Sequence, residues 1–269
     1  MRRTNAVTST AWNSGERFLF PGSVTPHPAQ RMRRDFPFYA GEPIGIGFGR
    51  WTVLLLSIVA GFMLLEFLPE RSFQQQFLAR LLFVGIPLGT LVWITGRHAK
   101  AFFGPIGARE VLIAALAALL AIVASFTAAL VVRQFSPVTS NALAVGVAEM
   151  SLSGLVLSLL SAAPQLLGEE LLTILPFIAL LQLATARVGL GRSVGIAVAL
   201  VGSTLVFCAA HLPTYDWNWA QCFGVIGASR IVLTLAYILT RNLWVSTGAH
   251  VLTDWTELAI AFAVAPRVH

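Results

Sequence analysis

Charged side chains are scarce in this chain. They make up 11% of its 269 residues, whereas soluble globular proteins carry about 25%. Hydrophobic residues make up 57%, and the mean hydropathy is +0.78. This balance excludes a soluble globule, and the low charge combined with high apolar content also excludes a disordered chain. The composition therefore predicts a polytopic membrane protein.

Cysteine is nearly absent as well. The two cysteines, Cys208 and Cys222, fall in or beside apolar segments. Two such residues cannot supply a disulfide framework or a four-cysteine zinc site. The first 49 residues also lack the apolar core of a signal peptide. We therefore expect the first membrane span to direct insertion.

Several signatures of known function are missing too. The sequence contains no HExxH, no GxSxG and no pair of intramembrane aspartates, which disfavours the best-known zinc, serine and aspartyl intramembrane proteases. The net charge of +6 could suggest a nucleic-acid partner, but seven of the 18 basic residues lie in the first 50 positions, just before the first apolar run. That placement favours a cytoplasmic tail, and no nucleic-acid binding is expected.

What the chain has in quantity is long apolar runs. About 20 mostly apolar residues are needed to cross a bilayer as a helix. This rule predicts an all-α membrane helix bundle of about eight transmembrane helices. The predicted spans lie near 51–68, 77–95, 111–132, 142–163, 166–186, 193–210, 220–240 and 243–264. The joint between the fourth and fifth spans is marked only by Pro164 and Gly168.

The eight spans divide the chain into an Arg/Pro-rich cytoplasmic tail (1–49), a membrane domain (50–264) and a short tail (265–269). With the amino terminus inside, eleven basic residues fall on the cytoplasmic side and six outside, as the positive-inside rule requires. An even number of spans places both tails on the cytoplasmic side. The second half of the chain disagrees, however, with three arginines outside and one inside.

Ionisable residues within the predicted spans are the best functional candidates, because each charge at the bilayer centre costs about 2.5–3.5 kcal/mol. These residues are Glu66, Glu149, Glu169, Glu170, His211, Arg230, His250, Asp254 and Glu257. Glu66 fits a solvated helix end. Glu149 is deeper, and could pair with Arg230 or be protonated.

Two groups among these residues suggest chemistry. Glu169 and Glu170 are adjacent carboxylates in an apolar stretch, and neighbours on a helix point about 100° apart, so the two cannot serve one site equally. His250 is followed four residues later by Asp254, which places imidazole and carboxylate on one helical face. Such a face can bind metal, orient a water or stabilise an oxyanion. The plainer interpretations are an interfacial helix start for the glutamates and a hydrogen-bonded core residue for each histidine.

Three motifs in order resemble the CPBP family, the CAAX-processing and bacteriocin-processing intramembrane proteases. The family pattern is a Glu-Glu pair, then Phe-x-x-x-His, then His-x-x-x-Asn/Asp. Here it reads Glu169–Glu170, Phe207-Cys-Ala-Ala-His211 and His250-Val-Leu-Thr-Asp254. The resemblance covers about residues 163–258, and each motif falls on a separate apolar segment.

The resemblance implies roles for these residues. Glu169 would be the general base that activates a water together with His211, while His250 and Asp254 would bind the carbonyl oxygen. Glu170 and Phe207 would support them. No cofactor is expected, although zinc remains an alternative because glutamate, histidine and aspartate can all ligate it.

One departure from the family pattern affects Glu170. The family's first motif continues as Glu-Glu-x-x-x-Arg, and the arginine position is Ile174 here. Glu170 therefore needs another partner, and Arg230 and Arg187 are the candidates. Asp254 stands where asparagine is commoner, and its side chain can donate a hydrogen bond only when protonated.

The resemblance thus implies an intramembrane endopeptidase, multi-pass in the cell membrane, whose partners are a peptide or membrane-protein substrate and the lipid bilayer. A zinc-dependent version of the same protease is one alternative. The other is a non-catalytic membrane or immunity protein that keeps the fold. A transporter would more readily show inverted repeats, and none is apparent in the sequence.

Overall fold

The computed structural model describes residues 35–68, 72–139, 142–147 and 149–265, and these residues form helices without strands. Most of the predicted tail 1–49 and the last residues, 266–269, lie outside the described part. The helices are α1 (Phe48–Phe67), α2 (Phe73–Thr95), α3 (Ala108–Val132), α4 (Ala142–Val147), α5 (Leu152–Gln182), α6 (Arg192–Ala210), α7 (Gly227–Thr240) and α8 (Leu243–Val264). A 3₁₀ helix (Gly96–Phe102) follows α2, and π-helical turns follow α5 (Leu183–Arg187) and precede α7 (Gln221–Ile226).

Within the described residues, six helical segments are long and apolar enough to cross a membrane, as expected of a multi-pass membrane protein. They are Phe48–Phe67, Phe73–Phe102, Ala108–Val132, Leu152–Arg187, Arg192–Ala210 and Gln221–Thr240. The 22 residues of α8 are not among them, because this helix carries His250, Asp254 and Glu257. The predicted count of about eight spans is not confirmed.

Besides the omission of α8, the difference arises in the middle of the chain. The spans predicted at 142–163 and 166–186 are not separate, since α5 runs unbroken over 31 residues. Pro164 removes only its own N–H from the helix ladder, and membrane helices tolerate this loss. Gly168 serves packing here: a Cβ at this position would lie 2.6 Å from the ring of Phe83 on α2. These two residues therefore do not end the helix.

One end of the bundle, called the Asp35 end, gathers segments 35–47, 96–107, 188–191 and 241–242. Asp35 forms a 2.6 Å ion pair with Arg192 at the start of α6. The Phe36 ring lies between the guanidinium groups of Arg192 and Arg241, 5.4 and 5.1 Å from its centroid. Asn242 accepts a hydrogen bond from Gly104 N–H at 2.8 Å. These contacts join the amino-terminal segment to three interhelical connections.

The opposite end, called the His211 end, gathers segments 133–139 and 211–220 with the first turns of α2 and α5. Gln221 binds the backbone of Thr139 twice, at 2.7 Å through each end of its amide. Arg80 on α2 donates to Ser161 on α5 at 2.6 Å. The chain therefore alternates between the two ends, because α5 passes once from the His211 end to the Asp35 end.

This alternation places Asp35 and Ala265 at opposite ends of the bundle. The expectation that the two tails share one side concerns tails that lie mostly outside the described residues, so it stays a prediction. The connection after α5, at 188–191, lies at the Asp35 end together with the segment that precedes α1.

Close packing of α1 on α2 depends on Gly61, and this generates a test. A Cβ at Gly61 would lie 2.9 Å from the backbone oxygen of Phe83. We expect Gly61→Ala to destabilise the protein by about 1–3 kcal/mol, because backbone atoms must move apart. Gly85→Ala on α2 is the matched control, with nothing within 4 Å of the added methyl group, and should gain up to about 1 kcal/mol from helix propensity. Thermal unfolding in detergent measures both; equal stability of the two variants would contradict this packing.

Candidate functional site

The side chains singled out in the sequence meet in the interior of the bundle. Glu169 and Glu170 lie on α5, Phe207 on α6 and His211 directly after α6, while His250 and Asp254 lie on α8. All of them except Glu170 line one cavity of about 1050 Å³. The four predicted catalytic residues therefore share a space that is large enough for a peptide segment.

Glu169 lies at the centre of this group. Its Oε1 accepts a 3.0 Å hydrogen bond from Gln165, one helical turn earlier. Its Oε2 lies 3.9 Å from His211 Nε2 and 3.7 Å from His250 Nε2. These separations are longer than a direct hydrogen bond, and catalytic contacts are often this loose without substrate. One carboxylate oxygen thus faces two imidazoles across a short gap.

His211 is positioned by two contacts with Phe207, on the helix that it follows. Its Nδ1 lies 2.9 Å from the carbonyl oxygen of Phe207, which can only accept, so we assign the proton to Nδ1. Its ring packs on the Phe207 ring with the centroids 4.3 Å apart. Helix α6 ends just before His211, and Pro213 follows two residues later. Nε2 is therefore directed at Glu169.

His250 lies among carboxylates. Its Nδ1 is 3.0 Å from Glu170 Oε1, and its Nε2 is 3.6 Å from Asp254 Oδ1 on the next turn of α8. Because a carboxylate accepts, Nδ1 carries a proton, as in His211. The predicted one-face arrangement of His250 and Asp254 is confirmed, and Nε2 faces Glu169.

Glu170 points away from the cavity and is fully buried. Its Oε1 lies 2.6 Å from Nη2 of Arg230 on α7, and both side chains are 0% exposed. The two groups form a buried ion pair. The Arg230 guanidinium also lies 4.8 Å above the Phe207 ring. Arg230 therefore contacts both the residue that holds His250 and the residue that packs on His211.

The structure selects between the partners considered for Glu170. Arg230 occupies that place, whereas Arg187 is exposed at the Asp35 end. The residue at the family's arginine position, Ile174, is a fully buried core residue. The suggested pairing of Glu149 with Arg230 is wrong, because Glu149 lies exposed in the turn between α4 and α5. The partner of Glu170 therefore depends on the tertiary packing that brings Arg230 on α7 next to α5.

Two polar residues of the site were not singled out from the sequence. Gln165 binds Glu169, and Ser161 lies one turn further along the same face of α5, where it accepts from Arg80. The signal available was the four-residue spacing of Ser161, Gln165 and Glu169, which puts them on one helical face. Together they form a polar stripe along the cavity wall.

The distances between the site side chains can be compared with those of a zinc site. The described residues contain no group of three histidine, cysteine, aspartate or glutamate side chains arranged to hold a metal ion. Zinc ligands at about 2.0–2.1 Å in a tetrahedron lie about 3.4 Å from one another. The contacts of 3.6, 3.7 and 3.9 Å among Glu169, His211, His250 and Asp254 are wider than that. Zinc binding would require these side chains to approach one another by a few tenths of an ångström, so the zinc-dependent version stays an alternative.

Comparison with models of known protein families, with curated proteins and with solved structures gives no match for this chain. The resemblance to the CPBP family therefore depends on the three motifs alone.

The Glu170–Arg230 pair gives a stability test. Arg230→Met leaves the Glu170 carboxylate buried without its cation, and we expect a loss of about 3–5 kcal/mol. The double variant Glu170→Gln/Arg230→Met should recover most of this loss, because the buried carboxylate that needs the Arg230 cation is removed together with it. Unfolding in detergent provides the measurement, with Arg187→Met as an exposed control expected within about 0.5 kcal/mol of wild type. A single Arg230→Met variant as stable as that control would contradict the pairing.

Proposed function

We propose that this chain is an intramembrane endopeptidase of the kind that the CPBP resemblance implies, multi-pass in the cell membrane, which hydrolyses peptide bonds with a water activated by glutamate and histidine. The observation that supports it best is Glu169 Oε2 within 4 Å of two imidazole Nε2 atoms inside a cavity. Peptide hydrolysis needs a base beside the attacking water and a donor beside the developing negative charge. The two histidines provide one partner for each task.

In the first step a water lies between Glu169 and His211. His211 Nδ1–H is bound to the Phe207 carbonyl, so Nε2 of the neutral ring can accept a hydrogen bond from that water. As the water oxygen bonds to the scissile carbonyl carbon, one of its protons passes to the Glu169 carboxylate. The product is a tetrahedral intermediate with a negatively charged oxygen.

His250 is placed to stabilise that oxygen. Glu170 accepts from its Nδ1–H, and a second proton at Nε2 makes the ring a cationic donor. Asp254, 3.6 Å away, faces the same nitrogen. The intermediate then collapses: the carbon–nitrogen bond breaks, protonated Glu169 gives its proton to the leaving amine, and the new carboxylic acid ionises. Glu169 returns to its starting form.

Substitutions at the two histidines and Glu169 test this mechanism. We expect Glu169→Gln, His211→Ala and His250→Ala each to lower kcat by on the order of 10²–10⁴, because each removes proton transfer or charge stabilisation. Since the groups act on one intermediate, Glu169→Gln/His211→Ala should be hardly worse than Glu169→Gln alone. Cleavage of a membrane-peptide library by purified protein in detergent is the assay. Exposed Glu149→Gln is the control, and full activity in any of the three single variants would remove that residue from the mechanism.

A chelator separates the alternatives in the same assay. Activity that survives treatment with 1,10-phenanthroline supports the metal-free mechanism. Activity that is lost and then restored by added zinc would instead support the zinc-dependent version. If wild type and Glu169→Gln cleave nothing in the library, the outcome favours a non-catalytic membrane or immunity protein.

A further inference from the structure

The cavity of the candidate site extends toward only one end of the bundle. Its lining includes residues of the His211 end, such as Gln76 on the first turn of α2, Thr139 after α3 and Tyr215 after α6. None of its lining residues belongs to the segments of the Asp35 end, 35–47, 96–107, 188–191 and 241–242. A molecule that reaches Glu169 from water therefore comes from the His211 end.

The basic residues are concentrated at the other end. Among the described residues, seven lie at or next to the Asp35 end: Arg50, Arg97, Lys100, Arg109, Arg187, Arg192 and Arg241. Two lie toward the His211 end, Arg80 and Arg133, and Arg230 is buried in the bundle.

This distribution resolves the conflict found with eight spans. There, Arg187, Arg192 and Arg241 fell outside while the amino-terminal arginines fell inside. Because α5 is a single helix, all three arginines lie at the Asp35 end with Arg50 and Arg97. Short loops rich in arginine and lysine remain in the cytoplasm during insertion. The Asp35 end is thus the cytoplasmic one.

From these two observations we propose that the site is reached from the non-cytoplasmic face of the membrane, and that its substrate is a peptide segment exposed on that face. The substrate's being a peptide depends on the function proposed above, whereas the side of access does not. The polar stripe of Ser161, Gln165 and Glu169 runs from the His211 end toward the centre of the bundle. An extended peptide entering along it meets backbone-binding groups before it reaches Glu169.

Cysteine labelling tests the side of access without any cleavage. Three single variants report different places: Val138→Cys on the His211 end, Val188→Cys on the Asp35 end and Ser158→Cys in the cavity wall. The probe is a membrane-impermeant sulfonated maleimide added to intact cells that express the chain. The unsubstituted protein, whose Cys208 and Cys222 are buried, gives the background.

We expect Val138→Cys and Ser158→Cys to be labelled in intact cells, and Val188→Cys to stay at background until the cells are permeabilised. The reverse pattern, or equal labelling of Val138→Cys and Val188→Cys, would overturn the orientation. Labelling of Ser158→Cys only after permeabilisation, with Val138→Cys labelled from outside, would overturn the cavity's access.

A second experiment links the side of access to the substrate. Protein in sealed vesicles is sorted by orientation with the Val138→Cys label, and a water-soluble fluorogenic peptide library is added outside. Cleavage should occur only where the His211 end faces outward. Cleavage by vesicles with the Asp35 end outward would overturn this inference and leave the proposed function intact. If the labelling is as expected but no vesicles cleave, the proposed function fails while the side of access stands.

Discussion

A single carboxylate that cannot reach water, that of Glu170, joins the parts of this site. It is 0% exposed and contacts Arg230 on α7 and His250 on α8. A buried charge without a partner would cost several kcal/mol, so the three helices have to be packed closely enough for the contacts to form. The same contact fixes the proton of His250 on Nδ1 and turns Nε2 toward Glu169. The arrangement of the candidate catalytic side chains thus follows from the contacts that compensate the buried charge of Glu170, which does not itself face the cavity.

Arg230 extends this arrangement to the second histidine. Its guanidinium covers one face of Phe207, whose ring packs on His211. Nε and Nη1 of Arg230 have no hydrogen-bond partner among the described residues. The cation–π contact with Phe207 therefore provides part of the stabilisation of this buried cation. A pair with unsatisfied N–H groups contributes little net stability, because desolvation offsets much of the attraction. The main effect of the Glu170–Arg230 pair is to hold His211 and His250 near Glu169.

The continuity of α5 has equally wide consequences. It carries both glutamates and the polar stripe, and it reaches from one end of the bundle to the other. Because it crosses once, the connections after α5 and α7 and the segment before α1 meet at one end, where Asp35 and Arg192 pair and Phe36 packs between two guanidinium groups. The cavity extends toward the opposite, His211 end. The basic residues and the opening of the cavity therefore lie at opposite ends of the bundle.

Local patterns in the sequence determined the helical class, the extents of α2, α3, α6 and α8 to within a few residues, and the shared face of His250 and Asp254. Each of these depends on composition over about 20 residues or on a four-residue spacing, which the chain carries wherever it folds. Tertiary structure decided the rest. From the sequence, Arg230 and Arg187 were equally possible partners for Glu170, and the packing of the helices selects Arg230. The sequence likewise allowed Pro164 either to end a helix or to lie within one, and in the structure it lies within α5, where α2 packs on Gly168. Contacts between residues some 60 to 80 positions apart depend on how helices pack, and no local spacing encodes which pair will meet.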